Sequence, residues 1–130
     1  MKTHPNELFL YYNCESDTHK KTRALAHSIA NHVNETTFKN EAISKTMWAD
    51  LLSMLNLKPK DLLDKSDTKY QAELAGHNFN EEDWLNILIN NPCMIKAPIA
   101  VMQNKAILCL SPQDIFKLVR EKNTEFAENG

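Results

Sequence analysis

Asn90–Pro112 reads NNPCMIKAPIAVMQNKAILCLSP, and it is the stretch on which the fold turns. Ile99–Met102 and Ala106–Leu110 are two apolar runs joined through Gln103-Asn104-Lys105, with Asn104 suited to a left-handed conformation. That spacing predicts an antiparallel β-hairpin. Beyond it, Ser111-Pro112-Gln113-Asp114 supplies a capping Ser, a Pro at the first helical position and an acid at the third. A helix is predicted there, with Phe116, Leu118 and Val119 on its apolar face and a polar tail after Lys122.

Working upstream, Asn80 should cap a helix whose first turn holds three acids, the favourable sign at a helix N-terminus. Trp84, Leu85, Leu88 and Ile89 form its apolar face, and Pro92 stops it. Before it, Ser44 should cap a helix to about Asn56 with Trp48, Leu51, Leu52 and Leu55 inward. Pro59 opens a short helix, and Tyr70–Leu74 is a helical turn ending near Gly76. At the N-terminal side, ELFLYY (Glu7–Tyr12) reads as a buried strand. Leu25, Ile29 and Val33 repeat at i,i+4, which predicts a helix from about Asp17 to Val33. TTFK (Thr36–Lys39) reads as a second strand, parallel to the first because one helix joins them.

Composition excludes several classes. The chain has 130 residues and 42% hydrophobic content, enough for one domain with a core. It holds only two glycines, Gly76 and Gly130. A Walker loop, a dinucleotide-binding glycine fingerprint and a nucleophile elbow each need clustered glycines, so none can be written here. With 15 basic and 17 acidic residues the net charge is −2, and no nucleic-acid partner is expected. HKKTR (His19–Arg23) is too short for a nucleic-acid stripe and reads as a solvated face. Three cysteines without C-x-x-C spacing argue against a disulfide framework or a zinc site. Five histidines without i,i+4 pairing read as surface residues. No apolar run reaches membrane-span length and no signal-type segment is evident, so a cytoplasmic protein is expected, with no membrane partner.

The order β-α-β, a run of helices, then β-β-α is an α/β, thioredoxin-like mixed sheet with a helical insertion. With LYYNCESDTHKKT (Leu10–Thr22), LLDKSDTKY (Leu62–Tyr70) and the Asn90–Pro112 stretch, it resembles the ArsC/Spx family of glutaredoxin-coupled arsenate reductases and their Spx-like relatives. The resemblance covers about Leu8 to Leu118. It implies one domain over 1–130, with a thioredoxin-like core at about 7–41 and 92–122 and the insertion at about 42–91. It also implies a cis-proline at Pro98 facing the loop that follows the first strand.

Laid without a gap, the family's catalytic cysteine falls on Ser16 and its loop proline on Cys14, while Lys20 stands at the family's basic position. A serine cannot supply the low-pKa thiolate that attacks arsenic or a disulfide. The positions of the family's oxyanion-binding arginines read Asp64, Ala97 and Leu110, and Glu15 and Asp17 flank Ser16. Coordinated losses of this kind imply that arsenate reduction is gone. The expectation is a non-enzymatic binding or regulatory relative. Its cleft is formed by Asn13, Asp17, Thr18, Asp64, Ala97, Pro98 and Leu110, for a protein or small-molecule ligand. The alternative is a thiol oxidoreductase linked to glutathione or glutaredoxin that uses Cys14 as its thiol and Lys20 beside it, and arsenate reductase ranks last. Ser16 or Asp17 reads first as a helix cap, and Cys109 as a core thiol. Cys93 sits in a connector with nothing to mark it as activated. No bound cofactor and no metal are expected; glutathione enters only as a co-substrate.

Overall fold

A computed structural model of the chain describes residues 7–13, 17–40 and 42–119. Cys14, Glu15 and Ser16 lie outside the described residues.

β1 (Glu7–Tyr12) alternates as a strand buried on both faces must. Leu8 and Leu10 point into one core and Tyr11 into another. α1 (Asp17–Ile29) carries the chain across to β2 (His32–Thr37), which runs parallel to β1 with Glu7 opposite His32 and Tyr12 opposite Thr37. α2 (Lys45–Leu55), a 3₁₀ turn at Pro59–Leu62, a π-type turn at Tyr70–Leu74, α3 (Glu81–Asn90) and a 3₁₀ turn at Pro92–Met94 follow. β3 (Ile99–Met102) then returns antiparallel to β1, and β4 (Lys105–Leu108) lies antiparallel to β3. The sheet order is β2-β1-β3-β4, the mixed α/β arrangement expected. A 3₁₀ turn at Pro112–Phe116 packs on α1 and runs on into helical residues 117–119, where the described chain ends.

Helices cover both faces of this sheet, which is why its central strands read as near-continuous apolar runs. On one face Trp48, Leu51, Leu62, Leu63, Trp84 and Leu88 meet Tyr11, Ile99 and Val101. On the other, Ala26, Ile115 and Leu118 meet Leu8, Leu10, Ala100 and Cys109. Both tryptophans are buried anchors as expected; Phe79 meets the Trp84 ring edge-on at 5.0 Å. The helix starts follow the predicted caps. Ser44 Oγ accepts from the Met47 N–H at 3.1 Å, and Asn80 Oδ1 accepts from the Asp83 N–H at 2.8 Å while Asp83 reaches back to the Asn80 N–H.

Several boundaries differ from the sequence reading. α1 stops at Ile29, and Val33 is a strand residue opposite Leu8. Val33 still packs in the α1-side core, so its i,i+4 spacing with Ile29 recorded a shared core rather than a shared helix. β2 accordingly begins at His32, not Thr36, and Phe38 lies past its end, buried and donating its N–H to the Tyr12 carbonyl at 2.8 Å. The hairpin turn has two residues rather than three. Gln103 (φ 52°) and Asn104 (φ 64°) are both left-handed, the geometry whose twist matches the flanking strands. Cys109 comes one residue after β4 and is fully buried.

His19 is not a surface residue. It is 3% exposed, its ring stacked on Tyr12 at 3.4 Å, and Thr22 beside it is also buried with Oγ1 donating to the Thr18 carbonyl. HKKTR therefore has an inner and an outer side. The Ala97–Pro98 bond is trans, since the described backbone holds no cis peptide, which corrects the cis expectation at Pro98. Trans is the intrinsically favoured isomer by about 0.5–1 kcal/mol, and in this isomer the Pro98 carbonyl still takes the Cys109 N–H at 2.8 Å.

Candidate functional site

Where the C-terminal end of β1 meets the segment leading into β3, a cleft of about 220 Å³ opens. Asn13, Asp64, Cys93, Ile95, Lys96, Ala97 and Pro98 line it. Three backbone contacts build it. Leu63 and Ile95 form an isolated antiparallel bridge, the Asp64 N–H donates to the Met94 carbonyl at 2.7 Å, and the Lys96 N–H donates to the Leu62 carbonyl at 2.9 Å. These contacts lash the 3₁₀ turn of the insertion to the strand that follows it. The Pro92–Met94 turn, with the Ile95 N–H closing onto the Pro92 carbonyl, buries Met94 and leaves Cys93 exposed.

Asp64 is held firmly. Its Oδ1 accepts from the Ser66 hydroxyl at 2.6 Å and the Ser66 N–H at 2.9 Å. Those two bonds, the hydroxyl first, hold its carboxyl below the usual carboxylate range, with a smaller contribution from Lys96. The cleft thus carries a fixed negative charge opposite one exposed lysine. The Asn13 Oδ1 is buried, and no described residue hydrogen-bonds it. Next to the cleft, the Tyr12–His19 stack ties the end of β1 to the first turn of α1. Burial pulls the His19 imidazole below its ordinary value, Glu35 opposing and Arg23 and Lys20 adding to the shift.

Of the residues expected at the cleft, Asn13, Asp64, Ala97 and Pro98 converge. Asp17, Thr18 and Lys20 stand on α1 and do not line it, Asp17 and Lys20 being exposed. Leu110 does not reach it either. It is 63% exposed and borders a separate cavity beside β4, because the chain turns out of the sheet after Cys109. Cys14 and Ser16, expected respectively as the thiol and as the occupant of the family's cysteine position, are outside the described residues. Sequence reasoning missed the two other polar members, Cys93 and Lys96. The available signal was Pro92 opening a tight turn directly before Cys93, in the connector that leads to Pro98. Cys109 is inert by contrast: burial first, then Asp114, pushes its thiol up to about 12. Among the described residues no cluster of His, Cys, Asp or Glu could hold a metal, and no helix is long and apolar enough to cross a membrane.

Chemically, this cleft suits a neutral or cationic polar group better than a multiply charged anion. A tetrahedral dianion needs a fork of donors, and here a carboxylate and a single ammonium face it.

The ArsC family profile matches residues 11–118. Among solved structures, an arsenate reductase from Vibrio cholerae superposes with a TM-score of 0.75 at 17% identity, covering 88% of this chain and 98% of that one. A Yersinia pestis protein carrying a provisional arsenate-reductase description gives 0.73 at 20% identity, over 85% and 98% of the two chains. An arsenate reductase related protein from Brucella melitensis gives 0.65 at 18%, over 89% and 97%. At such identities the likeness shows the fold. No curated protein matches the sequence.

Proposed function

Since the chain belongs to the ArsC family, we propose that it is a binding or regulatory relative in which arsenate reduction has been lost. The carrying observation is Asp64, whose carboxylate lines the cleft with Ala97 and Pro98 and is kept ionised by Ser66. By resemblance, Asp64 and Ala97 occupy two of the family's arginine positions. An oxyanion there meets repulsion from Asp64 and no guanidinium from either place. Its ligand is a protein segment or small molecule that presents a donor or a cation to Asp64. No cofactor is bound in this reading, and the protein acts in the cytoplasm as a single domain.

The test is arsenate-dependent NADPH oxidation with glutathione, glutaredoxin and glutathione reductase supplied. The expected rate equals the protein-free background. Turnover above it that disappears in Cys14→Ser would overturn the proposal.

One observation favours a second reading. Asn13, the residue directly before Cys14, lines the cleft. In this reading the Cys14 thiolate attacks glutathione disulfide, forms a protein–glutathione mixed disulfide and releases one glutathione thiolate. Glutaredoxin or a second glutathione then restores the thiol. Glutathionylation confined to Cys14 and reversed by glutaredoxin would support it.

A further inference from the structure

The cleft brings three kinds of group into one small space. The first is a thiol. Cys93 stands in the Pro92–Met94 turn, where the Met94 N–H donates to the Asn91 carbonyl at 3.0 Å and the Ile95 N–H to the Pro92 carbonyl at 3.2 Å. Met94 and Ile95 are buried, which anchors the turn and leaves Cys93 as the exposed thiol among the described residues. The second is a pair of acceptors. Asp64 uses Oδ1 for both Ser66 bonds, and no described residue donates to its Oδ2. Asn13 Oδ1 is buried with no donor upon it, a state that a buried acceptor keeps only where something else supplies the donor. The third is a cation. Lys96 is exposed on the same wall, and none of the ion pairs among the described residues uses it.

An α-amino-acid thiol is the complement of that set. Its ammonium answers Asp64 and Asn13, its carboxylate answers Lys96, and its sulfur bonds to Cys93. The size agrees: 220 Å³ holds roughly seven water-sized groups at about 30 Å³ each, as many as cysteine has non-hydrogen atoms. Reach agrees too. From the Cys93 sulfur, the S–S–C–C–N chain of an attached cysteine extends about 5–6 Å, the S–S bond being about 2 Å of it, inside a space roughly 7.5 Å across. A tripeptide thiol would leave most of itself outside.

We propose that the cleft binds cystine and retains one half of it as a mixed disulfide with Cys93, which closes the cleft to its other ligands. This rests on the reading of the cleft as a binding site and names a ligand and a regulator for it. The Cys93 thiolate attacks one sulfur of cystine. The cystine S–S bond breaks as the bond from Cys93 to cysteine forms, and the second cysteine leaves as a thiolate that takes up the proton Cys93 gave up. Cystine is the oxidant, and the electron pair stays on the departing cysteine. Free cysteine reverses the exchange, so the state of the cleft follows the ratio of cystine to cysteine.

The experiment treats the reduced full chain at pH 7.5 with equal concentrations of four symmetrical disulfides: zwitterionic cystine, cationic cystamine, anionic dithiodiglycolate and neutral bis(2-hydroxyethyl) disulfide. Mass mapping reads the rate at Cys93. Dividing by the rate at a blocked Asn-Pro-Cys-Met-Ile peptide removes each reagent's own reactivity. The ratio for cystine should exceed that for the neutral disulfide by at least about tenfold, since binding orients the reacting sulfurs. Cystamine should fall between them and dithiodiglycolate below. Lys96→Gln, at an exposed side chain, should lower the cystine ratio and not the cystamine ratio, and Asp64→Asn should lower both. The inference is overturned if cystine reacts no faster than the neutral disulfide, if the adduct forms at Cys14 instead of Cys93, or if neither variant moves the ratios. The arsenate assay on the same preparation separates the two claims. Unselective labelling with background turnover overturns this inference alone, whereas turnover lost in Cys14→Ser overturns the reading beneath it.

Discussion

Replacing Asp64 by Arg should convert the cleft from one that repels dianions to one that holds them. A space of about 220 Å³ corresponds to a sphere of roughly 3.7 Å radius, so an ion seated in it lies about 5 Å from the lining charges. At that distance a pair of unit charges interacts by about 0.8 kcal/mol in water-like dielectric. Asp64→Arg changes the wall charge by two units facing a charge of −2, so the shift is about 3 kcal/mol at low salt. Screening at physiological ionic strength reduces it to about 2 kcal/mol. In dissociation constants this is roughly a 200-fold gain at low salt and about 20-fold at physiological salt. The assay is titration with arsenate and sulfate followed by calorimetry, with wild type and Asp64→Asn alongside. Asp64→Asn removes the negative charge without adding a positive one and should give about the square root of the Arg effect. Asp64→Arg also loses the two Ser66 bonds, since a guanidinium has no acceptor, at a cost of about 1–2 kcal/mol in stability at this half-buried position. Wild-type protein that binds arsenate as tightly as Asp64→Arg would refute the reasoning, because Asp64 would then not face the anion.

Cys93 and Cys109 should separate cleanly in alkylation. The exposed Cys93 should react with iodoacetamide at pH 7.5 at least about 1,000-fold faster than Cys109, whose thiol stands near 12; peptide mass mapping of the folded protein reads the ratio. Asn80→Ala removes the oxygen that takes the Asp83 N–H and should destabilise the protein by about 1 kcal/mol in urea denaturation, with α3 fraying first in amide exchange. The lowered His19 pKa gives a stability contribution present above the unfolded imidazole value near 6.5 and lost as pH falls from there toward the folded value. The urea midpoint should therefore drop between pH 7.5 and 5, and His19→Phe, which keeps a ring against Tyr12, should flatten that drop. Asp64 and Asp114, both held low, act in a separate window below about pH 4.

Half of the cleft was legible in the chain and half was not, and the residues show why. Asn13, Asp64, Ala97 and Pro98 were found because a family resemblance aligns positions, and positions near a shared backbone feature stay together. Leu110 was misplaced because alignment says nothing of where a chain leaves the sheet; after Cys109 it turns outward. Cys93 and Lys96 were missed because Pro92 signals a tight turn but not which side chains of that connector face the cleft. The trans bond before Pro98 was equally illegible, since both isomers are open to an X-Pro pair and the surroundings select one.

What the sequence by itself determined is everything carried by contacts within a few residues. Ser44 and Asn80 cap because their oxygens reach an N–H three residues on. The hairpin follows from two short apolar runs about a left-handed Asn104. The central strands are apolar along most of their length because both faces of the sheet are covered. What only the tertiary structure decided depends on segments far apart in the chain. Val33 belongs to a strand because Leu8 lies opposite it. His19 is buried because Tyr12 stacks on it. The cleft exists because the Leu63–Ile95 bridge joins residues on either side of α3. Periodicity reports which side chains avoid water, whereas pairing across the fold decides which element keeps them dry and what faces them.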